Sequence, residues 1–106
     1  MRNGFSHRVS EEIDFAAVNS VALTHLPSLL LRWLPDGRQV GQEWVARNPR
    51  RDDKRPGSFR VNLATGKWAD FATSDAGGDV VSLAAFLARS SQVDAARSLK
   101  AMLGAG

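Results

Sequence analysis

Between Phe59 and Phe71, apolar and polar residues alternate on either side of a single turn signal, and this alternation constrains the fold more than any other stretch of the chain. A period of two is the mark of strands that bury one face. With Ala64-Thr65-Gly66 as a three-residue loop and Gly66 left-handed, Leu63 faces Lys67 and the ladder runs back from that pair. Phe59 then opposes Phe71 and Val61 opposes Ala69 on one face, while Arg60 opposes Asp70 and Asn62 opposes Trp68 on the other. The first face is apolar and packs on a core. The second is polar apart from Trp68 and turns outward.

Both flanks of this hairpin change to helical spacing. Ser10 followed by Glu11 and Glu12 predicts a helix start, with Ile13, Ala17 and Val21 as the apolar seam of a helix ending near His25. Pro27 suits the first turn of a second, short helix carrying Leu29, Leu30 and Trp33, which Pro35-Asp36-Gly37 stops by Leu34. Gly41 then marks a turn, Trp44-Val45-Ala46 a short strand, and Asn48–Gly57 a loop punctuated by Pro49 and Pro56. Beyond the hairpin, Gly77-Gly78 turns the chain and Asp79 caps a helix through Val80, Leu83 and Leu87. Ser91 with Asp94 opens a last helix bearing Val93, Ala96, Leu99, Met102 and Leu103. This order predicts an α+β fold in which a small antiparallel β-sheet is flanked by N- and C-terminal helices. One domain spans residues 1–106, helical over 10–34 and 79–103, with the sheet and basic loop at 38–73. A chain of 106 residues supports one modest core of this kind.

Charge is concentrated where the strands meet the loop. Arg47, Arg50, Arg51, Lys54, Arg55 and Arg60 face only Asp52 and Asp53 within that window, a local excess of four against a net charge of +3 for the whole chain. Such a segment on a near-neutral body suits a phosphate-bearing partner, and a solvated surface loop is the alternative. Cysteine is absent, which excludes disulfides, thiolate metal sites and cysteine nucleophiles. Met1–Ser10 has no apolar signal-peptide core, and Leu26–Leu34 is interrupted by Pro27 and Arg32 and falls far short of the ~20 residues that span a bilayer. A cytoplasmic location and no membrane partner are expected.

Few constellations carry chemistry. Thr65-Gly66-Lys67 is no phosphate loop, since the pattern requires glycine at Val61 and a hydroxyl at Trp68. His7 and His25 stand at no metal-ligand spacing, and His25 reads as a helix-end residue. Asp70, Asp75 and Asp79 form a possible Mg²⁺ set, against simpler duties as partner to Arg60, loop residue and helix cap. No catalytic residues and no cofactor are expected. The aromatic residues say more: Trp44, Phe59, Trp68 and Phe71 interleave with Arg47, Arg60 and Lys67, as in sheets that stack bases of a single strand while cations follow its backbone. Phe59 and Phe71 read as core and Trp68 as the stacking candidate, unless a helix or a neighbouring domain covers it.

Four stretches, Asn48-Pro49-Arg50-Arg51, Pro56-Gly57-Ser58-Phe59-Arg60-Val61, Asp70-Phe71-Ala72-Thr73 and Gly77-Gly78-Asp79, occur in that order. Together with the flanking helices they resemble the zinc-binding domain of bacterial and phage DNA primases, whose pattern is Cys-Pro-x-His, a Pro-Ser-Phe strand, Cys-Phe-x-Cys and Gly-Gly-Asp. The positions matching the ligands hold Asn48, Arg51, Asp70 and Thr73, which are no zinc set. The pattern, including Trp-Ala-Asp-Phe-Ala-Thr at 68–73, resembles the zinc-less form in primase-like proteins of phages, plasmids and integrated elements, where such a domain precedes a Toprim catalytic domain.

The resemblance implies a zinc-ribbon-like core without zinc and a non-catalytic domain that binds single-stranded DNA template for a primase-like replication protein of a mobile element. Arg50, Arg51, Lys54 and Arg55 would contact phosphates, with Arg47, Arg60, Lys67 and Trp68 along the sheet. The alternative is a protein-interaction module, its DNA binding lost with the ligands, that docks onto a Toprim catalytic or helicase domain through its apolar N-terminal helices. Exposure of Leu29, Leu30 or Trp33 would mark that surface. A Mg²⁺-dependent nuclease or nucleotidyltransferase rests on the three aspartates alone.

Overall fold

A computed structural model describes residues 13–50 and 57–104. Asp14 begins the first helix, α1 (Phe15–Thr24), its Oδ1 accepting from the Ala17 N–H at 3.1 Å. This cap displaces the buried seam by one position: Val18 and Ala22 face inward, Ala17 is exposed and Val21 half-buried, where Ile13, Ala17 and Val21 were expected. The proposed start at Ser10 lies outside the described residues. His25 ends α1 and leads directly into α2 (Leu26–Trp33), with Pro27 in its first turn and Leu34 as its C-cap. Leu26, Leu29, Leu30 and Leu34 are buried and belong to the core, while Leu31 stands outside at 61% exposure.

Five strands follow in a meander, each hydrogen-bonded to its sequence neighbours and all pairs antiparallel: β1 (Arg38–Val40), β2 (Glu43–Ala46), β3 (Phe59–Asn62), β4 (Trp68–Asp70) and β5 (Ala76–Gly77). Gly41 turns β1 into β2 with φ +62°. The β1–β2 hairpin and β5 go beyond the sequence-based assignment, since three exposed residues and a two-residue strand carry no alternation to read.

The β3–β4 register differs from expectation by one residue. Phe59 pairs with Asp70, Arg60 with Ala69 and Val61 with Trp68. The cause is Asn62. Its carbonyl accepts from Gly66 N–H at 2.8 Å, and its Oδ1 accepts from Ala64 and Thr65 N–H at 2.8 and 3.0 Å. Its own N–H donates to the Lys67 carbonyl at 2.7 Å. The loop is therefore four residues, Leu63–Gly66, closed by the asparagine side chain, with Gly66 left-handed at φ +80° as expected. Because strand side chains alternate, a slip of one exchanges faces. Trp68 joins Phe59 and Val61 in the core at 6% exposure, and Phe71 stands outside at 71%.

The helices cover the inner face of the sheet. Asp79 caps α3 (Val80–Ala88) in a reciprocal capping box with Ser82, and Asn19 of α1 accepts from Val81 N–H at 2.9 Å. Ser91 caps α4 (Gln92–Leu103) by accepting from Asp94 N–H at 3.1 Å, as the sequence predicts. Phe59, Trp68 and Phe86 form an aromatic cluster with ring centroids 4.7–5.9 Å apart. Trp68 Nε1 donates to Ser82 Oγ at 2.9 Å and Trp44 Nε1 to the Leu34 carbonyl at 3.1 Å. Each indole lies over a glycine, Trp68 over its strand partner Gly77 and Trp44 over Gly37, and a Cβ on either glycine would overlap the ring. The result is an α+β domain with helices at both ends of a five-stranded antiparallel sheet.

Candidate nucleic-acid interface

Alternation from the core-facing residues assigns the outer face of the sheet. Val45, Arg60, Ala69 and Ala76 form one row across β2 to β5, and Arg38 completes it on β1. The next row holds Val40, Glu43 and Asn62, with Lys67 hydrogen-bonded opposite Asn62. Arg47 continues the same parity past the end of β2. Three of the sequence-derived cations, Arg47, Arg60 and Lys67, thus share this face, joined by Arg38, whose three exposed strand residues carry no alternation in the sequence.

Their fields are partly spoken for. Arg60 Nη1 meets Glu43 Oε1 at 3.1 Å and its Nε donates to the Gly57 carbonyl at 3.1 Å, so the expected Arg60–Asp70 pair is not formed. Arg47 donates from both its backbone N–H and its Nε to Asp36 Oδ2, at 3.0 and 3.1 Å. Burial alone would raise the Asp36 carboxyl, but these hydrogen bonds and the adjacent guanidinium charge together outweigh it and hold the group below the ordinary carboxylate range. Both ion pairs are solvent-exposed enough to exchange partners at little cost. Lys67 is exposed.

The remaining candidates separate. Arg50 sits at the sheet's other side, its guanidinium 4.6 Å over the Phe86 ring, beside an open groove that Arg89 and Gln92 also line. Trp68 is buried and is not the outward stacking residue; the register shift is the reason. Arg51, Lys54 and Arg55 lie outside the described residues.

Two of the positions that match primase zinc ligands meet in the structure. Asn48 and Asp70 are 1% and 0% exposed, and Asn48 Nδ2 donates to Asp70 Oδ2 at 2.7 Å. Asp70 Oδ1 accepts from Ala72 N–H at 2.8 Å and Asn48 Oδ1 from Arg50 N–H at 2.8 Å. Thr73, the last of the four positions, turns its hydroxyl to Asp75 Oδ2 at 2.8 Å. These residues do not fit zinc. An amide N–H₂ group aimed at a carboxylate offers no lone pair to a metal, and neither thiolate nor imidazole is present. Among the described residues no group of three His, Cys, Asp or Glu is placed to hold an ion, so the Mg²⁺ reading of Asp70, Asp75 and Asp79 loses its basis. Asp79 is the helix cap expected of it.

An apolar groove of about 460 Å³ lies between the helices, lined by Trp33, Pro49, Leu87, Leu99 and Met102 among others. Of the three residues whose exposure would mark a docking module, Leu29 and Leu30 are buried and Trp33 is half-buried. No helix among the described residues is long and apolar enough to cross a membrane.

No family model matches the chain, and no curated protein matches it. Among solved structures it is similar to the crystal structure of the Aquifex aeolicus primase zinc-binding and RNA polymerase domains, with a TM-score of 0.64 and 19% identity over 85% of this chain. The chain spans 22% of the length of that primase chain, and the likeness at this identity is one of fold: the order of helices and strands built here is also found in a bacterial primase.

Proposed function

We propose that this chain is a non-catalytic domain that binds single-stranded DNA template within a primase-like replication protein of a phage, plasmid or integrated element. The observation that carries the reading is the gathering of Arg38, Arg47, Arg60 and Lys67 on one outer sheet face, with Glu43 as its acidic member. A cationic sheet face suits a sugar–phosphate strand, since each cation displaces condensed counterions. Likeness of fold to a primase supports the replication context, as does the ordered set of primase-like motifs. The Asn48–Asp70 pair supports a zinc-less form, because it places a hydrogen bond where the related pattern has two ligands.

The test is anisotropy of a labelled single-stranded oligonucleotide titrated with the domain at several salt concentrations, with a duplex as control. Affinity should fall with salt, each phosphate contact adding about 0.7 to the magnitude of the log–log slope. Lys67→Ala should lower affinity and flatten the slope by about that amount. No binding at low salt by folded protein would overturn the reading. It would favour a module docking onto a catalytic or helicase domain, for which the groove at Trp33 is the surface to probe.

A further inference from the structure

The same register that buries Trp68 exposes another aromatic residue. Phe71 N–H donates to the Ser58 carbonyl at 2.9 Å, which extends the β3–β4 ladder by one pair and sets Phe71 on the outer face with Ala69 and Arg60. It is the most exposed large apolar residue among those described, at 71%. A single exposed phenylalanine is in itself ordinary. Three further observations make this one different.

The first is its mounting. The turn after Phe71 is wound around Asp70: the Asp70 carbonyl accepts from Thr73 and Ser74 N–H at 3.2 and 2.9 Å, Asp70 N–H donates to the Asp75 carbonyl at 2.8 Å, and Asp70 Oδ1 takes Ala72 N–H. Ser74 closes it in the left-handed region at φ 71°. Phe71 is therefore held out by a hydrogen-bonded backbone anchored on a buried carboxylate, and little ordering entropy remains to be lost on binding. The second is its surroundings. Its cross-strand partner is Ser58, its neighbour on β4 is Ala69, and Ala76 stands opposite Ala69 on β5. Small side chains on three sides leave a low shelf from which one aromatic ring projects. The third is charge: Arg60 occupies the diagonal position, and Lys67 lies four residues away on the same face, roughly 13 Å at the strand rise.

We propose that Phe71 is the stacking platform of this face and that its ligand is an unpaired nucleobase, with Arg60 and Lys67 holding the phosphates on either side. The inference rests on the single-strand reading above and gives it a residue. Paired bases already stack on one another, so a ring projecting from a flat shelf distinguishes single strand from duplex, which the cations alone do not. The other aromatic side chains near the sheet are unsuited: Trp44, Phe59 and Trp68 are buried, and Phe86 is covered by the Arg50 guanidinium.

The experiment compares wild type, Phe71→Ala and Phe71→Trp in the anisotropy assay on a labelled oligothymidylate and a duplex, with circular dichroism melts to establish that each is folded. Phe71→Ala should weaken single-strand binding by roughly tenfold or more, leave the salt slope unchanged, and leave duplex binding unchanged. Phe71→Trp should keep the affinity and add the emission of an exposed tryptophan to that of Trp33, Trp44 and Trp68, the added part being quenched by the oligonucleotide. Wild-type binding that Phe71→Ala leaves intact, or weakens equally for duplex, would overturn the stacking role while the single-strand reading stands. Failure of wild type itself to bind would overturn both.

Discussion

Trp68→Ala should lower the unfolding free energy by about 3–5 kcal/mol, the range for emptying a core site of a large aromatic residue. The indole is 6% exposed, packs against Phe59 and Phe86 with centroids 5.8 and 4.7 Å away, and satisfies its N–H on Ser82. Its removal leaves a cavity between sheet and α3 and frees a hydroxyl that belongs to the α3 capping box. In urea titrations the midpoint should fall while the m-value holds. Trp68→Phe should recover most of the loss, since it restores the ring but not the hydrogen bond, worth about 1 kcal/mol. Retained stability with loss of DNA affinity would place Trp68 outside and restore the register in which Asn62 faces it.

The second large effect concerns the buried amide–carboxylate pair. Asp70→Ala should cost about 3–5 kcal/mol, as expected for breaking a buried, charged hydrogen-bond partnership. It strands the Asn48 amide and the Ala72 N–H, both of which the carboxylate now satisfies. Asn48→Ala should cost less, about 1.5–3 kcal/mol, the range for a hydrogen bond to a charged group, because the carboxylate keeps the Ala72 N–H. The pair joins residues 22 positions apart and ties the root of the basic loop to β4. A metal centre at these positions would make stability depend on chelators. The expected outcome here is a melting temperature that neither EDTA nor added zinc changes; a shift with either would show an ion at work.

Much of the fold is legible in local chemistry. Asp79 and Ser91 announce helix starts because a side-chain oxygen at the head of an apolar-periodic stretch has one obvious use, capping the free N–H groups of the first turn. Pro27 and Gly66 announce backbone angles that few other residues tolerate. The register was not legible for an equally local reason: alternation admits two pairings, Phe59 with Phe71 or with Asp70, and the choice falls to the Asn62 side chain, which adds one residue to the loop. The first pairing has the more uniform apolar face, but the second buries an indole in place of Ala69, at the expense of taking Asp70 inside. That acid is tolerable only because Asn48 is there to meet it, a contact no short-range pattern contains. The candidate interface follows the same division. Arg47, Arg60 and Lys67 could be assigned to one side by parity, whereas Arg38 needed a three-residue strand without alternation, and Trp68 and Phe71 exchanged roles with the register.

The two indole–glycine couples have a thermodynamic consequence. Gly77 and Gly37 have no unusual φ to explain them; the space a side chain would need is filled by Trp68 with the Ser82 hydroxyl at the first and by Trp44 at the second. Energetic effects at such touching positions are not additive. Gly77→Ala should be strongly destabilising alone and less so once Trp68 is alanine, when the Ser82 hydroxyl is the overlap that remains, so a double-mutant cycle should return a coupling of about 1–3 kcal/mol. For substitution, each couple behaves as one site with two addresses.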